Sequence, residues 1–186
     1  MTLSTGEQIE NPRYYRESQS KIKRVQRQLS KKEKGSVRYK KNRLRLTRLH
    51  EKVANQRNWF LHNESINLIR NYDKIGIEDL SVSSMLQNRK LSKSISDASF
   101  TEFFRLLEYK SSWYGKDLVK VDRYYPSSQV CSSCGNVKKS LKLGDRSYDC
   151  ESCGLIIDRD YNASINIEMT ALGVSSAQRT QSGSKT

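Results

Sequence analysis

The chain has 186 residues, 35% of them apolar, and a formal net charge of +14. Its length excludes more than one medium domain, or one domain with a small insert, and the low apolar share predicts a thin core that a bound nucleic acid or metal, or a further part of the domain, completes. No apolar run is long enough to span a membrane, and the polar start Met1-Thr-Leu-Ser-Thr-Gly6 has no signal-peptide core, so the expected location is the cytoplasm, with reduced thiols.

Residues 3–9, with Thr5-Gly6 inside, read as a short hairpin or the end of a strand pair. Asn11 offers an N-cap and Pro12 a first helical position, and Ile22, Val25 and Leu29 follow at helical spacing, which predicts a helix to about Lys32. Gly35-Ser36 breaks it. Leu46, Leu49, Val53 and Phe60 then mark one face of a longer second helix, so that residues 12–72 form a basic helical hairpin. Residues 74–80 read as a buried strand ending in acid, and a Ser-rich loop is expected from Ser81 to about Ser96. Phe100, Phe103, Phe104 and Leu107 fall at i, i+3, i+4 and i+7 of an amphipathic helix, with Asp97 as its N-cap and Gly115 as its stop. Residues 118–121 make a further strand. After a cysteine-bearing hairpin, residues 160–172 form a last helix with Ile165, Met169 and Leu172 on one side, and the polar tail, residues 174–186, reads as disordered. Alternation of strands and helices of this kind means an α/β layer fold.

Positive charge is concentrated in one segment. From Arg13 to Arg57 there are seventeen Lys and Arg against three acids, and the remaining residues hold seventeen of each sign. A local excess of this size points to a polyanion, because neutralised phosphates release condensed counterions. Arg24, Arg27, Lys40, Lys41, Arg43, Arg45 and Arg48 are the expected nucleic-acid contacts, without base readout. Tyr14, Tyr15 and Tyr39 lie among them and could stack on bases or pack within the helices. A solvated helix face is the plainer alternative for the segment taken alone.

All four cysteines fall in two Cys-x-x-Cys pairs, Cys131/Cys134 and Cys150/Cys153, joined by a short hairpin. Pairs so spaced grip one tetrahedral Zn²⁺ from two turns. Two disulfides would need an oxidising compartment and usually a denser cysteine framework. A closed four-sulfur shell has no open position for water or substrate, so the zinc is structural. Catalysis would have to come from elsewhere. Both histidines, His50 and His62, lie in helical segments, which leaves carboxylates as the candidate chemical groups.

An acid at the end of a buried strand and another at the start of a helix can converge on one side of a sheet, as Mg²⁺-dependent cleavage of nucleic acid requires. Glu78 alternates with Gly76 on one strand face, whereas Asp79 shares the other with Ile75 and Ile77, which favours Glu78. Asp160 is the helix-borne candidate, with capping of the last helix as its alternative role; Asp158 is a second candidate.

Taken together, Ile77-Glu78-Asp79-Leu80, the segment from Tyr125-Pro126-Ser127-Ser128-Gln129 through Cys131-Ser-Ser-Cys134-Gly135, and Asp158-Arg-Asp-Tyr-Asn-Ala-Ser-Ile-Asn-Ile167 resemble three motifs of the transposon-encoded OrfB/TnpB family, in the family's order. That family comprises RNA-guided nucleases related to type V CRISPR effectors. The resemblance implies an RNase H-like, RuvC-type nuclease fold over residues 1–125, a zinc-ribbon insert over 126–157 and a return to the nuclease part at 158–173. It further implies Glu78 and Asp160 as catalytic Mg²⁺ ligands, Asn162 as their neighbour, and DNA and guide RNA as partners. The family's first motif, an Asp on a central strand ahead of the hairpin at residues 3–12, has no counterpart here, since the first aspartate is Asp73. The expectation is therefore an incomplete nuclease, truncated at its first strand, whose missing strand another polypeptide such as the other half of a split gene could supply. A stand-alone zinc-ribbon DNA- or RNA-binding protein without nuclease activity is the alternative.

Overall fold

A computed structural model describes residues 1–89, 92–142 and 144–174. The chain divides into two compact units. A sheet unit is formed by Met1–Glu10, Ile69–Leu80 and the chain from Ser111 onward, and a helical unit by Asn11–Leu68 and Ser81–Lys110.

In the helical unit, α1 (Tyr14–Ser30) buries Ile22 and Val25, and α2 begins at Val37 and runs to Asn71. Pro12 does not open α1. Arg13, with φ 56°, precedes the helix, and Asn11 accepts from the Arg13 N–H at 3.0 Å instead of capping the first turn. Along α2 the burial falls on Val53, Leu61 and Leu68, while Leu46, Leu49 and Phe60 are half-buried. The expected Ser-rich loop is two short helices, α3 (Val82–Gln87) and α4 (Ser92–Ala98). Burial of Ile95 outweighs the modest helix propensity of serine there.

Asp97, expected as the N-cap of the next helix, belongs to α4. Its Oδ1 accepts from Arg57 at 2.8 Å and from the Tyr15 N–H at 3.3 Å, and it is 8% exposed. A buried carboxylate needs such partners. Ser99, at φ 54°, turns the chain into α5 (Phe100–Tyr114), where Phe103, Leu106 and Leu107 are buried. Lys110 is also buried; its ammonium donates to His62 O at 2.8 Å and Ser65 Oγ at 2.7 Å, and desolvation holds its pKa below the usual lysine value.

In the sheet unit, β1 (Lys74–Glu78) and β2 (Asp117–Val121) pair in parallel, Glu78 opposite Val121, with α3 to α5 forming the crossover. The closing helix α6 (Arg159–Leu172) packs on both strands. It does so closely, because Gly76 has no side chain: a Cβ there would lie 2.8 Å from Ala171 Cβ and 3.2 Å from Ile167 Cγ2. Between β2 and α6 the chain forms an antiparallel pair, β3 (Ser147–Asp149) and β4 (Ile156–Asp158). On α6 the buried side carries Ile165 and Met169 as expected, but Leu172 is exposed, and Asn162 and Asn166 are buried instead. The N-terminal hairpin is reduced to a single bridge, Thr2 with Gln8, around Gly6 at φ 90°. Gly173, at φ 69°, ends α6, and the rest of the expected disordered tail, residues 175–186, lies outside the described residues. Among the described residues no helix is long and apolar enough to cross a membrane.

Candidate metal and nucleic-acid sites

The four cysteines meet. Their sulfurs all lie within 4.8 Å of one another, with Cys131 to Cys153 and Cys134 to Cys150 both at 3.6 Å. A disulfide would bring sulfurs to about 2 Å, whereas four thiolates about 2.3 Å from a tetrahedral Zn²⁺ stand about 3.8 Å apart. The donor set and its spacing therefore fit zinc. Two equivalent turns hold the ligands. Cys131 N–H donates to Asn136 O and Gly135 N–H to Cys131 O, both at 2.9 Å; Cys150 N–H donates to Leu155 O at 2.8 Å and Gly154 N–H to Cys150 O at 2.9 Å. Gly135 at φ 76° and Gly154 at φ 73° take the left-handed conformation that lets each turn close behind its cysteines.

Backbone hydrogen bonds from Cys153 and Ser152 pull the Cys150 thiol down to about 6, while burial pushes Cys131 up to about 12. A divalent cation bound here would hold all four sulfurs as thiolates. Tyr148 lies fully buried beside Cys131 and Cys150, with Leu141, Leu155 and Ile157 around them. Its hydroxyl lies within reach of Gln129 O at 3.1 Å and Asn136 O at 3.2 Å.

Glu78 and Asp79 end the same strand with different partners. Asp79 is exposed and ion-paired to Arg123 at 2.7 Å. Glu78 is half-buried and among the described residues is in no ion pair; its Oε1 accepts a hydrogen bond from Ser127 Oγ at 2.8 Å. Alternation along β1 puts Glu78 on the face of Gly76, the face that meets α6.

Asp158 takes the capping role considered for Asp160: its Oδ1 accepts from the N–H groups of Asp160 at 2.9 Å and Tyr161 at 3.0 Å. Asp160 is left exposed in the first turn, its nearest cation Arg159 at 3.7 Å. Asp160, Ile167 and Ala171, at i, i+7 and i+11, share one stripe of α6, and the last two are the residues that Gly76 abuts. Gly76 abuts Ile167 and Ala171, and Glu78 is linked through Ser127 to Asn166 of the same helix. Among the described residues the four cysteines are the only group of three or more His, Cys, Asp or Glu gathered closely enough to hold a metal ion.

Sequence reasoning missed what Asn162 and Asn166 do. Asn162 Nδ2 donates to Val130 O at 2.7 Å while its Oδ1 accepts from Ser132 N–H at 3.0 Å; Asn166 Nδ2 donates to Ser127 O and Val130 O, both at 2.7 Å. Both asparagines are fully buried, and they fasten the segment around Cys131 to α6. Their i, i+4 spacing inside an apolar helix face was the available signal.

All seven basic residues proposed as contacts are exposed, and among the described residues none is in an ion pair. Lys41, Arg45 and Arg48 share one face of α2 at i, i+4 and i+7. Tyr14, Tyr15 and Tyr39 are half-buried, and Lys93 lies over the Tyr15 ring at 5.8 Å.

Residues 1–89 match the family model described as probable transposase, and residues 100–167 match the Cas12f1-like TNB domain. A putative RNA-guided DNA endonuclease of Streptomyces pristinaespiralis is 44% identical over 175 residues, which is 94% of this chain and 43% of that protein. The putative RNA-guided DNA endonuclease InsQ of Escherichia coli K12 is 33% identical over 181 residues, 89% of this chain and 45% of that protein. The chain thus spans less than half the length of each. A solved Cas12f1 chain, in a complex with sgRNA and target DNA, superposes with a TM-score of 0.60 at 20% identity, over 86% of this chain and 42% of that one, and so shares the fold.

Proposed function

Because the chain belongs to the OrfB/TnpB transposase family, we propose that it forms the metal-binding and nucleic-acid-gripping part of an RNA-guided DNA endonuclease. In this reading β1, β2 and α6 belong to an RNase H-like, RuvC-type layer, the cysteines hold structural Zn²⁺, and Glu78 and Asp160 are Mg²⁺ ligands. What supports the pairing of the two acids is the close approach of Gly76 to the α6 stripe on which Asp160 lies. Glu78 lies about 7 Å beyond Gly76 on the strand face that meets α6, and Asp160 lies about 10 Å before Ile167 on the helix stripe that meets Gly76. This common side supports reading the two carboxylates as ligands of one ion.

Two carboxylates, water and substrate phosphate oxygens form an ordinary Mg²⁺ environment. Bound there, the ion supplies Lewis acidity for phosphodiester cleavage. A two-ion site needs more acids than this pair, and among the described residues no third joins them, so a further acidic ligand has to come from elsewhere. Glu78 binds best when its charge is unneutralised, and among the described residues no lysine or arginine is ion-paired with it. Exposed cations on α1 and α2 hold the backbone of the nucleic acid without reading its bases.

The test compares binding of single-stranded DNA to the zinc-loaded chain with and without Mg²⁺. Mg²⁺ should strengthen binding by bridging carboxylates and phosphate, and Glu78→Gln or Asp160→Asn should each remove that increment. An increment that survives both substitutions would show that these acids hold no metal and favour a zinc-ribbon binder without nuclease chemistry.

A further inference from the structure

We propose that Ser127, clamped from beneath by Asn166, is the positioning residue that aims the Glu78 carboxylate at its metal. The inference rests on the reading of Glu78 as a Mg²⁺ ligand. Ser127 is 7% exposed, and its hydroxyl donates to Glu78 Oε1 at 2.8 Å. A neutral donor fixes the carboxylate without cancelling its charge, and it leaves Oε2 as the oxygen to meet a cation. Asp79 shows the contrast: its carboxylate is engaged by the Arg123 guanidinium.

The hydroxyl itself is held in position. Pro126 O accepts from the N–H groups of Gln129 at 2.8 Å and Val130 at 3.1 Å, and the Ser127 N–H donates to Tyr125 O at 2.8 Å, so the chain turns tightly around Ser127. Asn166, fully buried, gives its amide nitrogen to Ser127 O and Val130 O at 2.7 Å each. Among the described residues its Oδ1 has no hydrogen-bond partner. Flipping the amide would turn that oxygen toward two carbonyl oxygens, so the nitrogen stays where it is. A rigid path therefore runs from α6 through Asn166 and Ser127 to Glu78.

Mn²⁺, which takes the same oxygen ligands as Mg²⁺, is the probe: its binding to the zinc-loaded full chain is followed by the loss of the free-ion EPR signal. Ser127→Thr and Ser127→Val have one shape and differ only in the hydroxyl. Ser127→Val and Ser127→Ala should bind Mn²⁺ about 10-fold more weakly, while Ser127→Thr stays within about 2-fold of the parent. Zinc content and far-UV circular dichroism should be equal in all of them. Equal Mn²⁺ affinity in the Thr and Val variants, with Glu78→Gln still losing the ion, overturns the positioning role alone. If Glu78→Gln also binds Mn²⁺ as the parent does, the positioning role falls together with the metal-site reading.

Discussion

Gly76→Ala tests how closely α6 must approach β1. The added methyl would lie 2.8 Å from Ala171 Cβ, 3.2 Å from Ile167 Cγ2 and 3.2 Å from Ile167 O, against about 3.5–4.0 Å for a relaxed contact between carbons. Retreat of the helix is opposed at its other end, where Asn162 and Asn166 tie it to Val130 and Asp158 caps it. The expected loss is that of an overpacked core, about 1–3 kcal/mol, or a fall in melting temperature of about 4–8 °C for a loss near 2 kcal/mol. Ala171→Gly removes the tightest of the three approaches, and itself costs about 1 kcal/mol in helix propensity. In the double variant the two losses should therefore fall short of their sum by about 1 kcal/mol. Urea unfolding of the four zinc-loaded proteins measures this. Gly76→Ala unfolding within about 0.5 kcal/mol of the parent, or strict additivity in the double variant, would refute the close-approach argument.

Zinc removal should unfold the ribbon and spare the β1–β2 sheet. The ribbon's own core is Cys131, Tyr148 and Cys150 with three partly buried neighbours, too little to stand without metal. Chelation or Cys150→Ser should make the amides of Tyr148 and Cys150 exchange fast with solvent while those of residues 75–78 stay protected; persistent protection of Tyr148 in metal-free protein would count against the zinc assignment. Binding to duplex DNA should weaken steeply with salt. Replacing Lys40, Lys41, Arg43 and Arg45 by Gln should lower the slope of log affinity against log salt by about 3–4, at roughly 0.9 for each phosphate no longer neutralised. An unchanged slope would remove these side chains from the interface.

The cysteine cluster was legible in the sequence because its geometry is set by covalent spacing: two residues between partners and a glycine after each pair fix the turn almost regardless of surroundings. β1, β2, α5 and α6 were legible from periodicity, and the face of β1 from alternation. Misreadings arose where distant partners decided the outcome. Asp97 has the chemistry of a cap, yet Arg57, forty residues away, takes it. Ser81 to Ser96 reads as loop by composition, yet Ile95 is buried in a helix. By sequence Asp160 was weighed as the cap of the last helix, yet the backbone N–H directions give that role to Asp158. Ser127 and Asn166 carry no local signal of their joint contact, because a hydrogen bond between residues thirty-nine apart depends on the fold that brings them together.

β4 ends at Asp158 and α6 begins at Arg159, so no linker separates ribbon from helix. One residue added or removed at that seam would swing everything upstream of it by about 100° around the helix axis, and Asp160 lies only one residue past the start. Insertions and deletions that distinguish one family member from another should therefore accumulate in the connection between Cys134 and Ser147, and the seam should keep its length.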